Sequence, residues 1–202
     1  MSVNGTNMRS IPHVLVVALL LFLSACGPSA SQETAEPRAT QNQAEALEDQ
    51  IVQIYFHNSR LDSTQSCDKV FPVTRQIEAD LNRAQAALEQ LFKGPTQSEQ
   101  EQGYNSFFSQ QTAGVLKGFK VEGATAYVNL ADIRQIIPNA STSCGSQAFL
   151  AELETTLKDS LPGLERVIFA IHGEPRTFYD WMQFGCGGFN DNCDAQPFQG
   201  IN

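Results

Sequence analysis

Between Gly27 and Asp49 the chain carries one large apolar side chain, Leu47. A stretch so poor in material to bury cannot offset the entropy of ordering its backbone, so any core has to be built from about residue 50 onward. Ahead of it, Arg9 is the one charged residue of the first 25, and Val14–Leu23 is an unbroken apolar run of ten residues. A spanning helix needs ~20 residues, whereas a secretory apolar region needs ~7–15 followed by small residues. Export is the better fit, and no later run is long enough to cross a bilayer. The chain therefore divides into a leader (1–25), a tether (26–49), a folded segment (50–173) and a tail (174–202).

The apolar run ends in Leu23-Ser24-Ala25-Cys26, which resembles the lipobox of bacterial lipoproteins. Small residues admit the segment to a peptidase groove, and the Cys26 thiol is the soft nucleophile that accepts a diacylglyceryl group. The resemblance implies cleavage before Cys26 and anchoring by two or more acyl chains. The expected location is the cell envelope, lipid-anchored, on the extracytoplasmic side. The tether, at about 23 residues, would have a reach of ~25–30 Å.

Charge excludes one class of partner. Lys and Arg number 13 against 22 Asp and Glu, a formal net charge of −9, which opposes binding to phosphate backbones, so nucleic acid is not an expected partner. The cysteines agree with export. Apart from Cys26 there are four, Cys67, Cys144, Cys186 and Cys193, and an even set in an exported chain reads as two disulfides. Four cysteines allow three pairings; the preferred one is Cys186–Cys193 around a Gly-rich turn and Cys67–Cys144 between two long loops. The rival, a zinc site, lacks a CxxC pair.

From residue 50 the hydrophobic periodicity changes repeatedly. Ile51–Phe56 alternates, with Val52, Ile54 and Phe56 on one face, and predicts a strand. Val70–Arg75 is a second extended piece, held to a sheet edge by Pro72. Asp80 is a candidate N-cap for a helix carrying Leu81, Ala84, Leu88, Leu91 and Phe92 and stopped by Gly94-Pro95. Val115–Val121 and Ala124–Leu130 suggest a hairpin turning at Glu122-Gly123. Phe149, Leu150, Leu153 and Leu157 mark a second helix over 146–159, with Glu152, Glu154 and Asp159 assigned to its outer face. Arg166–His172 is the last strand. The order β-β-α-β-β-α-β predicts an α+β fold, a mixed sheet with two helices on one face.

These residues resemble a known family. PVTR at 72–75, ALEQLFKGPT at 87–96, LKGFKVEGATAYVNLADI at 116–133 and ERVIFAIHG at 165–173 are together similar to the GerMN domain, the sporulation and spore-germination module, over about 50–173. The resemblance implies a fold like that of ring-building motifs, an envelope setting, no established catalytic residues and no cofactor. It implies a non-enzymatic role in assembly with an envelope protein or peptidoglycan. The tail from 174 has no counterpart in the pattern.

Two other readings compete with assembly. His57 and His172 sit near strand ends, where they could meet and recruit Asp62 or Asp68 as the metal site of a hydrolase. The densest aromatic cluster, Phe178, Tyr179, Trp181, Met182 and Phe184, is either a strap over the core or an exposed patch that takes a partner or a small ligand. GxSxG, HExxH, Walker A and GxGxxG motifs are absent from the sequence.

Overall fold

A computed structural model describes residues 51–78, 82–186 and 192–201. The leader, Cys26 and the tether lie outside these residues, as does Asp80. Strand β1 (Ile51–Asn58) behaves as its alternation requires: Val52, Ile54 and Phe56 are fully buried, and Gln53, Tyr55 and His57 between them are half-buried. It pairs antiparallel with β2 (Phe71–Gln76), from Ile51 opposite Gln76 to Phe56 opposite Phe71. Pro72 lies opposite Tyr55, and the Tyr55 N–H points away from β2 to Thr156 Oγ1, 3.1 Å off. That pair is therefore a non-hydrogen-bonded one, where a proline forfeits no ladder bond.

Helix α1 (Arg83–Leu91) starts at Asn82, whose Oδ1 accepts from the Ala84 and Gln85 amides at 3.1 Å each. The N-cap is thus Asn82 and not Asp80. Ala84, Ala87, Leu88 and Leu91 form the buried face, and the helix stops at Gly94, whose φ is +73°. A Cβ there would stand 2.2 Å from the Phe108 carbonyl oxygen, so glycine is required twice over. The short α2 (Gln97–Glu101) is closed by a capping box between Thr96 and Glu99. Arg75 grips the Glu99 carboxylate with both guanidinium nitrogens and ties α2 to β2. Next, β3 (Tyr104–Asn105) pairs with the end of β1 through His57 and Asn58.

Strands β4 (Leu116–Glu122) and β5 (Thr125–Leu130) make the expected hairpin, and β6 (Arg166–Ile171) lies parallel to β5. The connection from β5 to β6 is the long helix α3 (Ser143–Ser160), as a parallel pair demands. It packs against both β1 and α1. The class is α+β, but the strands form two three-stranded sheets, β2-β1-β3 and β4-β5-β6, instead of one. On the side of β1 away from β2, β3 pairs only at His57 and Asn58, and α3 side chains reach the amides of Tyr55 and His57.

A run of rings ties the helices to β6. Phe92 meets Phe108 edge-on at 5.0 Å, Phe108 meets Phe149 at 5.2 Å, Phe149 meets Phe178 at 6.2 Å, and Phe178 stacks on Phe169 of β6 at 5.0 Å. Phe178 belongs to α4 (Pro175–Trp181), a helix begun by proline at its first turn. The last described residues lie across β4 and β5: Phe198 packs edge-on to Tyr127 at 5.6 Å. Asn129 clamps this strap, donating from Nδ2 to the Ile201 carbonyl at 3.0 Å and accepting the Gly173 amide at 2.7 Å. Of the described residues after 173, Phe178, Tyr179, Met182, Phe198 and Ile201 thus pack into the same core.

Candidate functional site

Two residues along a strand advance ~6.8 Å and four along a helix ~6 Å. That match lets α3 lie beside β1 and present Thr156 to the Tyr55 amide and Glu152 to the His57 amide, the latter at 3.4 Å. Glu152 is fully buried. Ser106 Oγ stands 2.6 Å from its Oε2 and in turn accepts the Phe108 amide at 3.0 Å. Burial pushes the Glu152 carboxyl up to about 8, so at neutral pH it is largely protonated. Its placement corrects the outer-face assignment from sequence. Glu154 pairs with Lys158 at 2.7 Å and Asp159 accepts the Tyr55 hydroxyl at 3.0 Å, whereas Glu152 points inward.

His57 lies over this carboxyl. Its Nε2 is 3.2 Å from the Ala148 carbonyl and 3.9 Å from Glu152 Oε1. A carbonyl can only accept, so Nε2 carries a hydrogen. Among the described residues Nδ1 has no protein partner. The ring is one wall of a cleft of about 370 Å³, completed by Asn105, Ser106, Phe107, Ala148 and the Cys67–Cys144 bridge. That bridge, with Cα atoms 5.2 Å apart, pins the loop after β1 to the first turn of α3. Asp62 and Lys69 stand on the rim, 3.6 Å apart. Hydrogen bonds, first from the Thr64 hydroxyl, hold Asp62 down to about 2. The second pair, Cys186 and Cys193, has Cα atoms 5.6 Å apart.

His57 and His172 are not brought together. His172 follows β6 in the other sheet, at φ +51°, and its Nε2 accepts the Asp132 amide at 3.3 Å. Asp62 and Asp68 belong to the loop beside His57 alone, with Asp62 on the rim of its cleft. The shared metal site drawn from the two histidines is thereby corrected: they end in separate sheets with separate partners. Among the described residues no three His, Cys, Asp or Glu side chains converge as metal ligands.

The aromatic cluster is divided. Phe178 is fully buried and Tyr179 nearly so. Trp181 packs against Phe149 and Phe178 at 5.8 and 6.1 Å. The Tyr179 hydroxyl accepts the Phe169 amide at 3.4 Å on the open edge of β6, and burial pushes the phenol up to about 12. Phe178 and Tyr179 thus belong to the core, Trp181 is half-buried against it, and Phe184, at 50% exposure, is the one of the set facing solvent.

Sequence reasoning passed over Glu152 and Ser106, the polar centre of the site. The signal was available in the spacing: 149, 152, 153, 156, 157 and 160 follow the three-and-four pattern of a helix stripe, and all six residues are buried. Glu152 and Thr156 belong to that stripe despite their polarity.

No curated protein and no solved structure matches this chain. Residues 53–177 match the Germane family, described as sporulation and spore germination; that span is well over half of the 202 residues, and the chain belongs to this family.

Proposed function

We propose that the chain is a non-enzymatic lipoprotein of the bacterial cell envelope, held by acylated Cys26 on the extracytoplasmic side, whose GerMN-type domain works by assembly with an envelope protein or the cell wall. The observation that carries the reading is the family match over 53–177, set behind a leader that ends in Leu23-Ser24-Ala25-Cys26. The cysteine pairs Cys67–Cys144 and Cys186–Cys193 support an oxidising compartment.

The test is Cys26→Ser in the native host. Unprocessed or mislocalised precursor is expected, and normal processing with unchanged membrane partition would remove the lipoprotein reading. Crosslinking in native membranes then tests assembly. A partner should be recovered equally with His57→Ala and His172→Ala in place, because neither imidazole performs chemistry under this reading.

A further inference from the structure

The cleft beside His57 does not end at Ser106. Asn105 and Ser106 form one of its walls and also a wall of a second groove, of about 720 Å³, that continues past Tyr104 to Thr96 and Gln111. The two cavities differ in chemistry. The first offers apolar surface from Phe107, Ala148 and the disulfide, the edge of the His57 imidazole, and the paired Lys69 ammonium and Asp62 carboxylate. The second is bordered by Gln97, Gln100, Gln110 and Gln111, and among the described residues that line it Lys93 is the one with a charge. Gln100 and Gln110 each donate from Nε2 to a backbone carbonyl, of Pro95 at 2.9 Å and of Lys93 at 3.4 Å. Those bonds orient the head groups and leave both Oε1 atoms as acceptors facing solvent.

An uncharged row of carboxamides suits a ligand dense in hydroxyls and itself uncharged. A polyanion would meet a single cation, Lys93, among the described residues along the groove, against a net charge of −9 over the chain. The small cleft suits a methyl group carried on a secondary amide: the methyl against Phe107 and Ala148, the N–H toward Asp62 or the His57 ring, the carbonyl toward Lys69. We propose that cleft and groove together are one binding site for an uncharged, N-acetylated amino-sugar strand. The acetamido group of one residue enters the cleft and the hydroxyls of its neighbours lie on the glutamines. This deepens the assembly reading and rests on it, naming glycan as the class of partner.

The test uses the full mature chain in detergent micelles with both disulfides intact, titrated with a β-1,4-linked tetramer of N-acetylglucosamine and, as control, the matching glucose tetramer. Saturable binding of the acetylated tetramer is expected, at least about tenfold tighter than the control. Ala148→Leu fills the cleft and should weaken binding by about tenfold or more, and Asn105→Ala, at an exposed position shared by both cavities, should weaken it with folding intact. Thermal melts of both variants separate lost binding from lost fold. Absence of saturable binding up to about 10 mM, or equal binding of the two tetramers, overturns the proposal. If crosslinking still captures a protein partner in that case, the assembly reading stands and the glycan site alone falls.

Discussion

Glu152 Oε1 accepts the His57 amide at 3.4 Å, on the edge of β1 where Asn105 of β3 is also paired with His57. One helical turn on, Thr156 Oγ1 does the same for Tyr55. The edge of β1 is thus covered jointly by the two residues of β3 and by side chains of a helix, which satisfies buried donors and denies the edge to another chain. The arrangement places an ionisable group where water does not reach, and that has a consequence for stability.

The Glu152 carboxyl titrates near 8 in the folded chain, raised by burial from an ordinary value of 4.5. Between those values the folded chain keeps a proton that the unfolded chain has released. This contribution to stability is therefore full below about pH 4.5, declines as pH rises to about 8, and is flat beyond. The loss across the window is on the order of a few kcal/mol. Glu152→Gln keeps an acceptor for His57 and has no proton to lose. Urea unfolding at about pH 5, 7 and 9 should show parent stability falling more steeply than that of the variant; parallel profiles would mean that Glu152 is ionised in the fold.

The division of the aromatic cluster gives a second expectation. Phe178 lies at the crossing of four ring contacts, so Phe178→Ala should cost about 3–5 kcal/mol. Phe184→Ala, at a half-exposed position, should stay within about 0.5 kcal/mol. Chemical denaturation of the two variants side by side decides between a structural strap and a free surface: similar small losses would return Phe178 to the surface.

What could be read from sequence follows what side-chain periodicity encodes. Val52, Ile54 and Phe56 declare β1 because a strand buries alternate residues, and Leu153 and Leu157 declare α3. Residue type hides the rest. A carboxylate at 152 reads as solvent-facing until Ser106 and the β1 edge are in place, and neither is near it in sequence. The split into two sheets is hidden for the same reason, since the edge of β1 is covered by the two residues of β3 and a pair of helix side chains and not by a strand of the other sheet. Helix α4 went unread because it is seven residues long, about two turns, too few for a period to stand out against a run of aromatics. The cap at Asn82 in place of Asp80 is a choice between two good capping residues two positions apart, settled only by where the helix packs.

The disulfides should contribute unequally. Cys67 and Cys144 are 77 residues apart and Cys186 and Cys193 only 7. Restricting the unfolded chain across the longer loop is worth ~4.5 kcal/mol in the chain-entropy model, against ~2.5 kcal/mol for the shorter. The longer bridge also holds the loop after β1 against α3, where Asp62 accepts the Ser66 amide at 2.7 Å beside the cleft. Cys67→Ala with Cys144→Ala should therefore lower stability by roughly 2 kcal/mol more than Cys186→Ala with Cys193→Ala, read from urea midpoints of the purified proteins. It should also speed amide exchange at Ser66, which the second variant should leave unchanged. Equal losses in the two variants, with Ser66 exchange unaltered in both, would show that packing holds the loop without the bridge.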